Sequence, residues 1–68
     1  MKTYKIIDDS GVDYGFLGIT REEFPWVGQI VKGLPTPGFY ADAVTVEKPY
    51  GLIGTYTTSS DNLLEIKE

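Results

Sequence analysis

Ten carboxylates and nine aromatic rings (five Tyr, three Phe and one Trp) are the groups of this 68-residue chain with chemistry to offer. Histidine and cysteine are both absent. The commonest general base and the commonest strong nucleophile are therefore missing. A Cys/His metal site is excluded for the same reason. A carboxylate pair can in principle cleave a glycoside. A domain this small offers little concave surface to bury a sugar. The residues thus argue against an enzyme, and no cofactor or metal is expected. Asp8, Asp9 and Asp13 form the densest acidic group. Their spacing does not match a calcium-binding EF-hand loop, and they read as a solvated turn.

The aromatics carry the leading functional expectation. Phe24-Pro25-Trp26 places two large rings around a proline, and Tyr50 follows Pro49 at a turn. Tryptophan and tyrosine are enriched at binding hot spots. A non-catalytic module that binds a protein partner through exposed Phe24, Trp26, Tyr40 and Tyr50 is the first reading. The duller role of Phe24-Pro25-Trp26 is a plug at one end of the core. The alternative function is an acidic inhibitor or nucleic-acid mimic of the type phages and mobile elements encode. Asp8, Asp9, Asp13, Glu22 and Glu23 would form its acidic face, joined by Asp61, Glu65 and Glu68 if the chain ends meet. Lys2, Lys5 and Lys67 dilute that charge. A third reading is a single-strand nucleic-acid binder that stacks bases on its aromatics.

Charge weighs against the third reading. The net charge is −4 and the pI about 4.6, with six scattered basic residues and no basic patch. Nucleic acid is a poor partner for such a surface. An anionic membrane surface is equally ill-suited. No apolar run has the length to cross a bilayer, and the first residues lack a signal-peptide core. The cytoplasm is the simplest location, which the absence of cysteine fits.

The elements that must position these residues are short. Residues 1–68 form one domain, and the start at Met1 suggests a complete small product. Thr3 to Ile7 reads as a strand and Asp8 to Gly11 as a turn. Val12 to Ile19 reads as a second extended segment, with Val12, Tyr14 and Phe16 on one face. Thr20-Arg21-Glu22-Glu23 has capping-box spacing, but Pro25 limits it to one helical turn near residues 20–24. Trp26 to Gly33, Phe39 to Glu47 and Leu52 to Thr57 read as further strands. The last two form a hairpin across Lys48-Pro49-Tyr50-Gly51, whose Pro and Gly suit a type I turn. Ser59 to Asn62 is a polar turn, and Leu63 to Lys67 a closing strand. The expected class is all-β.

Five or six short strands in so few residues need their edges covered, and a small bent barrel does this. From Val27 to Ile66 the order of elements resembles the SH3-like barrels. Val27-Gly28-Gln29-Ile30-Val31 is similar to their second strand and Ala43-Val44-Thr45-Val46 to their third. Gly54-Thr55-Tyr56 is similar to their fourth. Ser59 to Ile66 resembles their 3₁₀ turn and last strand. The resemblance implies a five- to six-stranded SH3-like barrel. It implies no polyproline binding, because Tyr4-Lys5-Ile6-Ile7-Asp8 stands where peptide-binding members carry Ala-Leu-Tyr-Asp-Tyr.

Overall fold

The computed structural model describes residues 1–39 and 41–67. It contains five strands: β1 (Lys2–Ile6), β2 (Ile30–Pro35), β3 (Ala43–Glu47), β4 (Thr55–Ser59) and β5 (Leu63–Ile66). All pairings are antiparallel, in one sheet of order β4-β3-β2-β1-β5. A short helix, α1 (Tyr14–Leu17), lies in the connection from β1 to β2, and a 3₁₀ turn (Ser60–Asn62) joins β4 to β5. The all-β expectation holds in its coarse form: the chain is mostly β, with one short helix. The sheet is not closed: β4 and β5 are its two edges.

Alternation explains which face is covered. Tyr4 and Ile6 on β1, Val31 on β2, Val44 and Val46 on β3 and Leu63 on β5 are buried together. Their neighbours Lys5, Ile30, Lys32, Leu34 and Leu64 are exposed. This is the one-sided burial typical of antiparallel sheets. The covered face is closed by the long first connection. Leu17 and Trp26 from that connection complete the core, with Val12, Tyr14 and Ile19 packed against it. Buried Asn62 fastens the 3₁₀ turn to this connection. Its side-chain amide donates to the Ser10 carbonyl (2.8 Å) and to Thr58 Oγ1 (3.2 Å). Its backbone carbonyl accepts from the N–H of Ile7 (2.9 Å).

Several boundaries differ from the sequence expectation. Val12 to Ile19 is not extended. Asp13 caps α1 by accepting the Phe16 N–H at 3.0 Å, and Gly18 ends it at φ 75°. An acidic N-cap and a left-handed glycine five residues apart outweigh the period-two pattern. The capping box at Thr20 forms in half: Glu23 N–H donates to Thr20 Oγ1, but Glu23 Oε1 accepts from the Thr20 hydroxyl rather than from its backbone N–H. Phe24 N–H closes the turn on the Thr20 carbonyl at 2.9 Å. It stays a turn, and the helix proper lies earlier. The strand expected from Trp26 begins only at Ile30. Gly28 adopts φ 97°, and its N–H donates to the Ile6 carbonyl at 2.7 Å, so Trp26 leaves the ladder. Likewise β3 begins at Ala43 rather than Phe39, and β4 runs from Thr55 rather than Leu52.

Candidate functional site

The β3–β4 connection is the best-defined surface feature. Its tight turn spans Pro49 to Leu52, closed by Leu52 N–H on the Pro49 carbonyl at 3.2 Å. It therefore sits one residue later than expected. The central residues Tyr50 and Gly51 have φ 63° and 71°. Positive φ at both positions is what a type I′ hairpin turn requires, not type I. Glycine takes this conformation freely, whereas a side chain there costs about 1–2 kcal/mol. Tyr50 is the only non-glycine residue with positive φ among the described residues.

Tertiary contacts hold it there. The Tyr50 hydroxyl donates to the Pro25 carbonyl at 2.6 Å. Its ring meets Phe24 edge-on, with centroids 5.2 Å apart and planes at 68°. Such pairs contribute about 0.5–1.5 kcal/mol beyond area burial. Phe24 and Tyr50 nevertheless remain 37% and 40% exposed. The result is a fixed, partly exposed aromatic pair bridging the first connection and the hairpin tip.

Two further apolar groups extend this end of the molecule. Phe16 on α1 is 72% exposed, with Lys48 Nζ 5.7 Å above its ring and Tyr56 beside it at 6.5 Å. Ile53, three residues beyond Tyr50, is 94% exposed. Sequence reasoning missed both. The period-two pattern puts Phe16 on a strand face, and a β-branched residue such as Ile53 reads as strand interior.

Trp26 is corrected outright as an exposed contact. It is completely buried, edge-on to Tyr56 at 5.5 Å. Its indole Nε1 is sealed from solvent without a hydrogen-bond partner among the described residues. The plug reading of Trp26 fits this place. Tyr40 lies outside the described residues.

The carboxylates are mostly committed locally. Asp8 accepts from the Asp9 N–H and from Ser10 Oγ. Asp13 caps α1 and Glu23 serves the Thr20 box. Asp9 pairs with Arg21 Nε at 2.8 Å and accepts the Tyr14 hydroxyl at 2.8 Å. The Arg21 guanidinium also lies 5.4 Å from the Tyr14 ring centre. Glu22 is exposed.

The Asp9–Tyr14–Arg21 group gives a pH prediction. Burial, followed by the bond to Asp9, raises the Tyr14 phenol above its ordinary 10.0. The folded chain then binds this proton more tightly than the unfolded chain. The linked stability is complete below pH 10.0 and declines as pH rises through the folded value. Tyr14→Phe is expected to cost about 1 kcal/mol at neutral pH. It should also flatten the decline above pH 10. Urea titrations of both proteins from pH 8 to about 11 measure this. Parallel alkaline limbs would contradict the assignment.

Among the described residues no helix is long and apolar enough to cross a membrane. Comparison of the chain with protein families, curated proteins and solved structures found no match.

Proposed function

We propose that this chain is a non-catalytic protein-interaction module whose contact surface is the aromatic end around Phe24 and Tyr50. The observation that carries the reading is Tyr50. A tyrosine occupies a turn position suited to glycine, and its ring is held against Phe24 by a bond to the Pro25 carbonyl. Strained residues of this kind cluster at functional sites. Two partly exposed rings fixed before binding lose little entropy on association. Phe16 and Ile53 would widen the surface. Glu22 and Glu23 directly precede Phe24. The fitting partner is therefore a protein with an apolar pocket rimmed by basic side chains.

The fold is read as an open relative of the SH3-like barrels. The order β4-β3-β2-β1-β5, the long first connection and the 3₁₀ turn before the last strand support this. Acidic mimicry has less support, because Asp8, Asp9, Asp13 and Glu23 already serve local hydrogen bonds.

The test is a pull-down from cells that produce the protein, at low salt and at ~0.5 M salt, where exposed charge pairs are screened within a few ångströms. A partner held at high salt and lost with Phe24→Ala is expected. Ile30→Ala, on the opposite exposed sheet face, should keep it. Retention by Phe24→Ala would overturn the reading. Binding confined to low salt would favour acidic mimicry.

A further inference from the structure

A groove of about 430 Å³ opens at the other end of β3, away from the Phe24–Tyr50 surface. It is bounded by the start of β1, the end of β2, the connection before β3, the 3₁₀ turn and β5. Tyr4, Val44 and Leu63, all buried core residues, supply its floor, and Pro35 and Pro37 supply wall. Its volume is in the range of pockets that bind small ligands or a few peptide residues.

The polar groups around this floor favour one sign of charge. Lys2 pairs with Glu65 at 3.3 Å on one rim, so these two charges largely cancel. Asp42 lines the groove and has no cationic partner among the described residues. Ser59 Oγ donates to Asp42 Oδ2 at 2.6 Å, and the Ser60 N–H donates to the Asp42 carbonyl at 2.8 Å. The carboxylate is thereby held in place. Pro35 and Pro37 have no backbone N–H to offer a ligand. Tyr4 is only 5% exposed, and its hydroxyl makes no hydrogen bond among the described residues. The groove thus combines an apolar floor, one carboxylate without a cationic partner among the described residues, and the hydroxyls of Tyr4 and Ser60.

We propose that this groove is a second binding site, for an extended peptide segment of a partner protein carrying Lys or Arg. Such a side chain suits it on both counts. Its aliphatic stem covers apolar floor while its cationic head reaches Asp42 and supplies the charge that this carboxylate lacks. The Tyr4 hydroxyl is left to bond the segment's backbone or the cation. This inference does not depend on the aromatic surface, which lies at the other end of the same strand.

Amide chemical-shift titration of the full ¹⁵N-labelled chain tests it, with the blocked tripeptides Ala-Arg-Ala and Ala-Glu-Ala as probes. Ala-Arg-Ala should give saturable shifts at Asp42, Ala43, Val44, Ser60 and Leu63, and Ala-Glu-Ala none there. Asp42→Asn keeps an acceptor for Ser59 but loses the charge. It should weaken binding by about threefold or more, within the range of exposed ion pairs. Tyr4→Phe should weaken it as well, without loss of spectral dispersion. Phe24→Ala should leave the titration unchanged, which separates this site from the aromatic one. Equal shifts from both tripeptides, no saturable shifts at the groove, or unchanged affinity in Asp42→Asn would overturn the proposal.

Discussion

Trp26→Ala is expected to leave the domain largely unfolded at 37 °C, because this ring is the largest fully buried side chain of a very small core. Truncating a buried Phe or Trp to Ala typically costs about 3–5 kcal/mol. A chain of 68 residues has about 3–10 kcal/mol in total at the usual stability per residue. No disulfide offsets the loss. The surrounding Ile6, Val46 and Tyr56 lie on paired strands and cannot collapse freely into the space. The melting temperature should fall by at least about 12 °C, since each kcal/mol is worth about 4–8 °C at this size. Far-ultraviolet circular dichroism is the right probe, as the substitution removes the only Trp. A fall of under 5 °C would contradict the burial of Trp26. Loss of a partner in this variant would accordingly report unfolding. Phe24→Ala is the substitution that reports on binding.

Gly33→Val is expected to be comparably damaging for the opposite physical reason. Gly33 lies on β2 opposite Val46 of β3 and Lys2 of β1. A Cβ there would stand 2.7 Å from the Thr45 carbonyl oxygen and 2.8 Å from Val46 Cγ1. The first of these is backbone in the adjacent strand and cannot rotate away. The β2–β3 ladder would have to spread at the centre of the sheet. Overpacking of this kind costs about 1–3 kcal/mol, and the branched valine belongs at the upper end. Gly33→Ala should show a smaller loss in the same direction. Gly38→Ala is the control, because nothing lies within 4 Å of its Cβ position. It should change stability by less than about 0.5 kcal/mol. Urea midpoints for the three variants check the order. A Gly33→Val protein as stable as Gly38→Ala would contradict the strand register.

The parts legible in the sequence were those fixed by local chemistry. Tyr4 and Ile6, Val44 and Val46, and the β-branched and aromatic content of Leu52 to Thr57 announced strands, and strands formed at the first two and over Thr55 to Thr57 of the third. Thr20 and Glu23 announced a capping box, and its bond from the Glu23 N–H to Thr20 Oγ1 formed. The sequence order of strands also located the β3–β4 hairpin. Where local rules competed, the reading failed. Val12, Tyr14 and Phe16 satisfy a strand period, but Asp13 and Gly18 supply a helix cap at each end. Pro49 suited the second position of a type I turn, yet it opens a type I′ turn because Tyr50 accepts positive φ. The force holding Tyr50 there comes from Pro25 and Phe24, far away in sequence, and no local pattern contains it.

The candidate site was legible in part for the same reason. Aromatic type and proline neighbours singled out Phe24 and Tyr50, and the fold brings these two together. They could not say that Trp26, two residues from Phe24, turns inward while Phe24 stays partly outside. That division is set by Gly28, whose positive φ and bond to Ile6 turn the chain between Trp26 and β2. Phe16 became a surface group only because α1 replaced the expected strand.

The central claim is that the Phe24–Tyr50 end is a contact surface. Its most direct test places a photo-crosslinking phenylalanine analogue at position 24 in living cells, with position 30 on the exposed sheet face as control. The account predicts a single discrete crosslinked protein from position 24, none from position 30, and loss of the crosslink when Tyr50 is changed to Ala. A crosslink of equal yield from both positions, or none from position 24, would contradict it.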